Sequence, residues 1–520
     1  MNSSTRVSLV AAAVAAALGT VATAAPLLPS SWPGYTPTGS STPNPGKVYY
    51  AGGGSAEVQA VFVAVNKLLT NVTVITDGSG GDVAQSNSYL IVLGNAAKNF
   101  ETGVTSGSVI GFIYKYNGGS GPNGAVPEFT TSASFKTLPY PAASVIGVAG
   151  GFGAYINGST VTSVNPNYVL TPGATTTVAP DWGITDEEPG LFNYSWNAAS
   201  TTQPAFSTSN GTAKPLYVAP FGVAVTQNVY QYKHNFAKAE IAQILAGQVS
   251  DWSALIGDTG TYKGSPLPAG PIVLLDRSPG SGTRAGAYAY FLNYPLGGLT
   301  TLGGDVEPYD IATGFTNSTG SLYDHLPTLQ AEGLGLGGTE PYDVKEGSSV
   351  VEVNDLVAAN KNTVGAIALL GLEFPPAQNQ GGTGSNQYYF ASINGTYPDS
   401  QTSGDNVNDT TTTATTTYSN IVKGLYDYAV QTSFNTPSGS TVATTNGTAF
   451  EQQVYTILSS QAISGAHVGS LFPSATQGVL LDPKIWSTPA AGVVEWSRNA
   501  VTVAAPFYTG AEPSAAADPL

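Results

Sequence analysis

The chain has no cysteine among its 520 residues. That excludes disulfide staples, thiolate metal sites and a lipid-anchored cysteine behind a leader. Histidine is nearly as scarce: His234, His325 and His467 are scattered, without the close spacing of a zinc site. Basic residues are few, 17 Lys+Arg against 33 Asp+Glu, for a net charge of −16. Such a field repels polyanions and argues against nucleic acid and anionic membrane surfaces as partners. Charged residues of both signs make up only 10%, so an anion bound here is held by local geometry. No Gly-x-x-x-x-Gly-Lys-Ser/Thr loop is present, which leaves nucleotide hydrolysis unsupported. Gly280-Ser281-Gly282 lacks the form of a Gly-x-Ser-x-Gly nucleophile elbow. No catalysis, cofactor or metal is therefore expected.

Glycine (62) and proline (35) are plentiful, with many Ser, Thr and Asn, a profile that suits a β-rich exported protein with long polar loops. The length allows two or three lobes with large cores. At the N-terminus Arg6 precedes an apolar run from Val7 to Val21 and then Ala22-Thr23-Ala24. A positive start, an apolar centre and a small-x-small site form a signal peptide over 1–24, and the run is too short and alanine-rich for a membrane anchor. The expected location is periplasmic or secreted. Residues 25–47 read as a Pro/Ser/Gly-rich linker.

Beyond it, strand and helix signals alternate. Val48-Tyr49-Tyr50-Ala51 reads as a strand, and Val58, Val61, Phe62, Val65, Leu68 and Leu69 repeat at helical spacing. Pro271–Leu275 reads as a buried strand and Ala285–Leu292 as a helix. Phe236–Ala246 reads as a helix with Gly247 at its C′ position. Strands alternating with helices predict parallel α/β sheets, with ligands beyond the strand C-termini. Residues 88–180 break the pattern and read as a β-rich insertion.

Four loops share one design, small or hydroxyl residues after an apolar strand: Gly52–Glu57, Asp77–Asp82, Asp181–Glu188 and Asp276–Arg284. The last joins a strand to a helix start through Arg277-Ser278-Pro279-Gly280-Ser281-Gly282-Thr283. Helix N-termini leave their first N–H groups unpaired and carry partial positive charge, so this loop suits a tetrahedral oxyanion. A structural ion pair of Arg277 with Asp276 or Asp186 is the plainer use of the same residues.

The Arg277–Thr283 run resembles the Arg-Ser-x-Gly-Ser-Gly-Thr loop of the phosphate-binding proteins that serve ATP-driven phosphate importers, including secreted relatives with a Gly-Gly-Gly start. Asp181-Trp182-Gly183-Ile184-Thr185-Asp186 is similar to that family's Asp-Phe-Gly-x-Ser-Asp element. Ala239 to Trp252 resembles the helix and Asn-Trp turn of its second lobe, and Gly365-Ala366-Ile367-Ala368 its Gly-Ala-Ile-Gly crossover. The matches keep the family's order over about 48–370.

The resemblance implies an α/β fold of the two-lobed periplasmic-binding-protein type II, with a β-rich insertion and a C-terminal extension. Lobe I would comprise 48–218 plus 366–510, with the insertion at about 88–180. Lobe II would comprise 219–365, with hinges near 215–220 and 364–370. It implies a phosphate site made of Ser55 and the Ala56 N–H, Ser79, Asp186, Arg277, Ser281, Gly282 and Thr283. Arg277 would give a charge-assisted pair. Asp186 would accept the proton of hydrogen phosphate, which sulfate lacks. The implied partners are inorganic phosphate, its mimic arsenate, and a membrane ABC permease. Two positions depart from the family. Glu57 stands where a neutral residue is less hostile to an anion and is expected to point away along the helix. Pro279 stands where an acidic residue often orients the arginine, with Asp276 available from the other side. The alternative function is a secreted surface, matrix or phosphate-scavenging protein that keeps the fold and has lost the transport role.

Overall fold

The computed structural model describes residues 47–76, 89–141, 145–148, 154–157, 160–163, 168–171, 175–187, 189–193, 198, 203–249, 251–255, 272–292, 294, 343–347, 349–361, 364–372, 388–398, 420, 426–440, 447–459, 496–497 and 518–519. The leader over 1–24, the linker up to its last residue, and Ser79 lie outside the described residues.

β1 (Lys47–Gly53) enters the interior and leads through Gly54–Glu57 into α1 (Val58–Leu68). The apolar repeat of α1 is buried as its spacing predicts, with Val58, Val61 and Val65 fully enclosed. Leu69, counted with that face in the sequence, instead opens β2 (Leu69–Thr76). β3 (Tyr89–Ala96) and β4 (Val109–Lys115) follow. The sequence reading placed both in the insertion, yet β4 lies directly beside β1 and β3 beside β4. Both are buried along almost their whole length, and a strand covered on both faces shows no polar alternation to mark it.

Two short helices come next, α2 (Ser120–Gly124) and α3 (Val126–Phe129). β5 (Leu138–Pro141), β6 (Val145–Val148), β7 (Ala154–Asn157), β8 (Thr160–Ser163), β9 (Tyr168–Thr171) and β10 (Thr175–Val178) follow as short strands. β5 pairs with β10 and β7 with β8, while β6 and β9 attach to the edge of the main sheet at β2. β11 (Trp182–Thr185) returns to the centre, parallel to β1.

β12 (Gly211–Thr226) is a 16-residue strand. After it come α4 (Gln227–Tyr230), β13 (Asn235–Phe236) and α5 (Lys238–Leu245). α5 stops where expected, with Gly247 at φ +68 just beyond its end. β14 (Val273–Arg277) leads into α6 (Gly282–Leu292), and β15 (Asp343–Gly347), α7 (Ser349–Lys361), β16 (Ala366–Gly371), β17 (Tyr388–Ile393), β18 (Ala429–Pro437) and α8 (Phe450–Ser459) complete the order used below.

One mixed sheet carries these strands in the order β15-β14-β16-β12-β18-β11-β1-β4-β3-β2-β9-β6, with β13 and β17 joined at β12. Among the described residues the two largest cores lie along it. One gathers Val273–Leu275 of β14, the apolar face of α5, Leu356 of α7, Ile367 of β16 and Phe390 of β17. The other gathers Tyr49, the buried face of α1, Phe112, Trp182 and Phe450. β12 and β18 run antiparallel between them: Leu216 and Phe434 lie in the second core, Phe221 and Ala429 in the first. The register of their ladder shifts between Pro215 and Val218. β16 pairs with β14, β17 pairs with β12 and β13, and the chain returns to the other core along β18. Two motifs noted in the sequence meet here. Trp252 is buried and its indole N–H donates to the Gly365 carbonyl at 3.0 Å.

Among the described residues no helix is long and apolar enough to cross a membrane.

Candidate functional site

The parallel strands β1 and β11 end side by side, which brings Gly54–Glu57 and Asp186 to one place. Trp182 fixes the depth of β11: its ring stacks on Phe434 at 4.8 Å and on Phe112 at 5.8 Å. Each such aromatic pair adds about 1 kcal/mol beyond area burial. The turn after β11 is held by side chains. Thr185 donates to the Glu187 carbonyl at 2.5 Å, Ser433 lies 2.6 Å from the same hydroxyl, and Asn435 donates to the Gly124 carbonyl at 2.6 Å. Asp186 follows directly, 5% exposed, and its Oδ1 makes no hydrogen bond within the protein.

The other wall comes from β14. Its last residues are Asp276 and Arg277, and the chain then turns through Gly280 at φ +87 into α6. The N–H groups of Gly282 and Thr283 belong to the first turn of α6, where intrahelical acceptors are absent. Ser281 caps this end, with its Oγ 3.5 Å from the Arg284 N–H. Arg277 is 9% exposed, and its Nη1 donates to the Thr283 hydroxyl at 2.9 Å. The expected orienting role of Asp276 toward the Arg277 guanidinium takes a different form. Asp276 Oδ1 accepts from the Arg277 backbone N–H at 2.8 Å, while Oδ2 accepts from Tyr288 at 2.5 Å and lies 3.7 Å from Arg284. Arg284 in turn donates to the Arg277 carbonyl at 2.9 Å. The side chain of Asp276 thus braces the loop from behind, and Thr283 touches the guanidinium.

The two walls meet. A Cβ added at Gly282 would stand 2.4 Å from Asp186 Cβ and 2.5 Å from its Oδ2, so only glycine lets the helix end approach the carboxylate this closely. The Gly121 N–H donates to the Gly280 carbonyl at 3.0 Å, tying α2 to the arginine loop. An apolar cluster seals the junction, with Ala285 and Ala289 of α6 packed among Val126, Phe129, Leu191 and Phe192.

Of the residues singled out from the sequence, Asp186, Arg277, Ser281, Gly282 and Thr283 are brought together and nearly buried. Ser55 and Ala56 sit half-buried on the turn after Gly54, whose missing side chain faces Asp186 Oδ1. Ser79 lies outside the described residues. Glu57 does not point away along α1. It is fully buried, and its Oε2 stands 2.5 Å from where a Gly54 Cβ would be. Ser120 was missed: it is 1% exposed, its Oγ makes no hydrogen bond, and its Cβ lies 3.1 Å from that same point. The signal was present as Gly118-Gly119-Ser120-Gly121 after the apolar strand β4, the same design as the other four loops.

Deeper in, Glu128 of α3 lies against Gly183, and burial pushes its carboxyl well above the ordinary carboxylate range. Among the described residues no group of three or more His, Cys, Asp or Glu side chains is placed to hold a metal ion.

The arrangement sets groups that favour an anion beside one that accepts a proton. A helix end, a guanidinium and hydroxyls favour an oxyanion, and a carboxylate beside them favours a group that carries a proton.

No family model and no curated protein matches the chain. Among solved structures it is similar to a putative phosphate ABC transporter substrate-binding protein with bound phosphate from Clostridium perfringens. That likeness has 14% identity, covers 53% of this chain and 80% of the other, and has a TM-score of 0.28. An ABC-type phosphate transport receptor from Vibrio cholerae shares 14% identity over 54% of this chain and 75% of its own, TM-score 0.27. PstS from Borrelia burgdorferi shares 12% over 54% and 74%, TM-score 0.26. Overlaps of this size leave the function to the residues of the site itself.

Proposed function

We propose that the chain is an exported solute-binding protein that takes up inorganic phosphate between two lobes and passes it to an ATP-driven importer. One observation carries the reading: a buried aspartate, Asp186, presents an unpartnered Oδ1 beside the N-terminal end of α6 and the arginine loop. On this reading the Gly282 and Thr283 N–H groups, the hydroxyls of Ser281 and Thr283, Ser55 with the Ala56 N–H, and the Arg277 guanidinium donate to phosphate oxygens. Ser79 is proposed as a further donor. Asp186 accepts the proton of hydrogen phosphate. Sulfate at neutral pH has no proton to give and would leave two negative groups face to face, at a cost of several kcal/mol. Arsenate, with the same shape and protonation, would enter equally well.

The lobes would be the two cores, with the hinge in the crossing strands β12 and β18. Delivery to a permease follows from the family resemblance of the loops, and the protein itself carries out no chemistry on the ion.

Calorimetric titration of the mature protein with phosphate and with sulfate tests this. The wild type should bind phosphate and discriminate strongly against sulfate. Asp186→Asn should weaken phosphate binding about a hundredfold, the range for losing a hydrogen bond to a charged group, and should narrow the gap to sulfate. Failure of the wild type to bind either anion would sink the reading and leave the secreted surface or matrix role.

A further inference from the structure

The sequence carries several Asn-x-Ser/Thr triplets, the acceptor pattern for an N-linked sugar in an exported protein. The atom that accepts the sugar is the amide Nδ2, so the use each asparagine makes of that nitrogen in the folded chain tells the triplets apart. Asn193 donates its Nδ2 to the Phe206 carbonyl at 2.8 Å, and Asn210 donates to the Phe129 carbonyl at 2.9 Å. Asn71 gives its nitrogen to Asn95 Oδ1 at 3.2 Å. Asn394, which heads Asn394-Gly395-Thr396, uses only its Oδ1, accepting from the Lys238 N–H at 3.1 Å. Among the described residues its Nδ2 makes no hydrogen bond, and Asn394 and Gly395 are both exposed.

The triplet sits on a turn of defined shape at the end of β17. Ile393 and Thr396 each donate an N–H to the other's carbonyl at 2.9 Å, which closes a two-residue turn over Asn394 and Gly395. These two have φ of +49 and +83, the type I′ geometry that Asn-Gly favours. The Asn394 N–H donates to the Phe236 carbonyl at 2.8 Å and the Gly395 N–H to Asn235 Oδ1 at 2.6 Å, which fastens the turn to β13. The Gly395 nitrogen is thereby committed away from the Asn394 amide, which opposes the ring closure by which an exposed Asn-Gly pair loses ammonia. Asn394 Oδ1 covers the first turn of α5. A sugar on Nδ2 leaves that carbonyl oxygen in place, so the modified side chain keeps its contact.

We propose that Asn394 is a glycosylation site of the exported chain, taking an oligosaccharide from a donor activated through a pyrophosphate leaving group. The Asn394 Nδ2–C1 bond forms, the C1–O bond to pyrophosphate breaks with its electron pair, and Nδ2 gives up one of its two protons. In a surface with so few charges, a sugar on this turn adds a solvated, bulky group. The proposal shares with the reading above only the export of the chain and does not depend on phosphate binding.

The experiment is peptide mapping by tandem mass spectrometry of the full chain secreted by its native cells, as wild type, Asn394→Asp and Thr396→Val. Asn394→Asp keeps an Oδ1 acceptor for α5 and removes the nitrogen. Thr396→Val keeps the branched shape and the backbone bonds of the turn and removes the hydroxyl that the acceptor pattern requires. The wild type should carry hexose-containing mass on Asn394, with Asn193 and Asn210 bare, and both variants should lose that mass completely. An unmodified Asn394 in the wild type overturns the proposal, whatever the variants do. So does its conversion to aspartate without a sugar, a sugar on Asn193 or Asn210 in its place, or a mass that both variants retain.

Discussion

Arg277 and Thr283 show how much a single residue can carry. Their 2.9 Å hydrogen bond fixes one face of the guanidinium and leaves the planar group aimed from a defined position. Thr283→Val keeps the shape and removes the acceptor, and should cost about 1 kcal/mol of stability, read as a lowered melting temperature, together with a five- to tenfold weaker phosphate affinity by calorimetry. At this scale the sequence is legible where candidate residues follow one another in a loop: Arg277, Ser281, Gly282 and Thr283 stand within seven residues and a single turn positions them. Asp186 was legible as the end of a buried strand. Glu57 was not, because it precedes α1 at φ −87 and ψ −11 and the periodicity of the helix does not set its direction. Its orientation depends on what β11 brings alongside, a contact 129 positions away in the chain.

The decisive element is α6, whose first turn abuts Asp186 through a residue with no side chain. Gly282→Ala would set a methyl 2.4 Å from Asp186 Cβ and 2.5 Å from Oδ2, inside any contact that real Cβ atoms make. The carboxylate or the helix must move. The expected result is a loss of phosphate binding of a hundredfold or so together with a lowered melting temperature, since overpacking of this kind costs about 1–3 kcal/mol. Titration and a thermal melt on the same variant measure the two effects. Elements with a clear period were placed from the sequence, α1 and α5 among them, while Leu69 and Phe236, counted with those helices, belong to strands. The pairing of β3 and β4 with β1 was not legible, because strands buried on both faces carry no alternation and Gly/Asn turns flank them. α2 and α3, at five and four residues, are too short to show a period at all.

Across the whole molecule, α8 carries the chain's return to the core around β1. Phe450 stacks on Tyr49 at 4.4 Å, and the neighbouring Glu451 is buried. Burial, with Asp181 close by, pushes the Glu451 carboxyl up to about 7 from an ordinary value of 4.5, against the pull of Lys47. Its folded form therefore holds a proton that the unfolded chain gives up near 4.5. Stability falls as pH rises through the window from 4.5 to about 7 and stays lower above it, by on the order of 3 kcal/mol from this group. Glu451→Gln should flatten that fall, read by chemical denaturation on both sides of the window, with the variant gaining on the wild type at the alkaline end. The order of the sheet was beyond the sequence, since local signals name strands and not their neighbours. The crossing of the chain back along β18 lies past the last recognisable motif.

The two strands that pass between the cores are bonded to each other over most of their length, from Gly211 with Pro437 to Pro220 with Ala429. A paired ribbon bends readily out of its own plane and resists bending within it, because in-plane bending stretches one row of hydrogen bonds. On the proposed two-lobed reading, bodies joined by such a ribbon would swing along a single arc, like pages about a spine. Asp186 and the first turn of α6 would then meet at the same alignment on every swing, and the selectivity of the pair would be set by the binding of the book rather than by chance encounter of its pages.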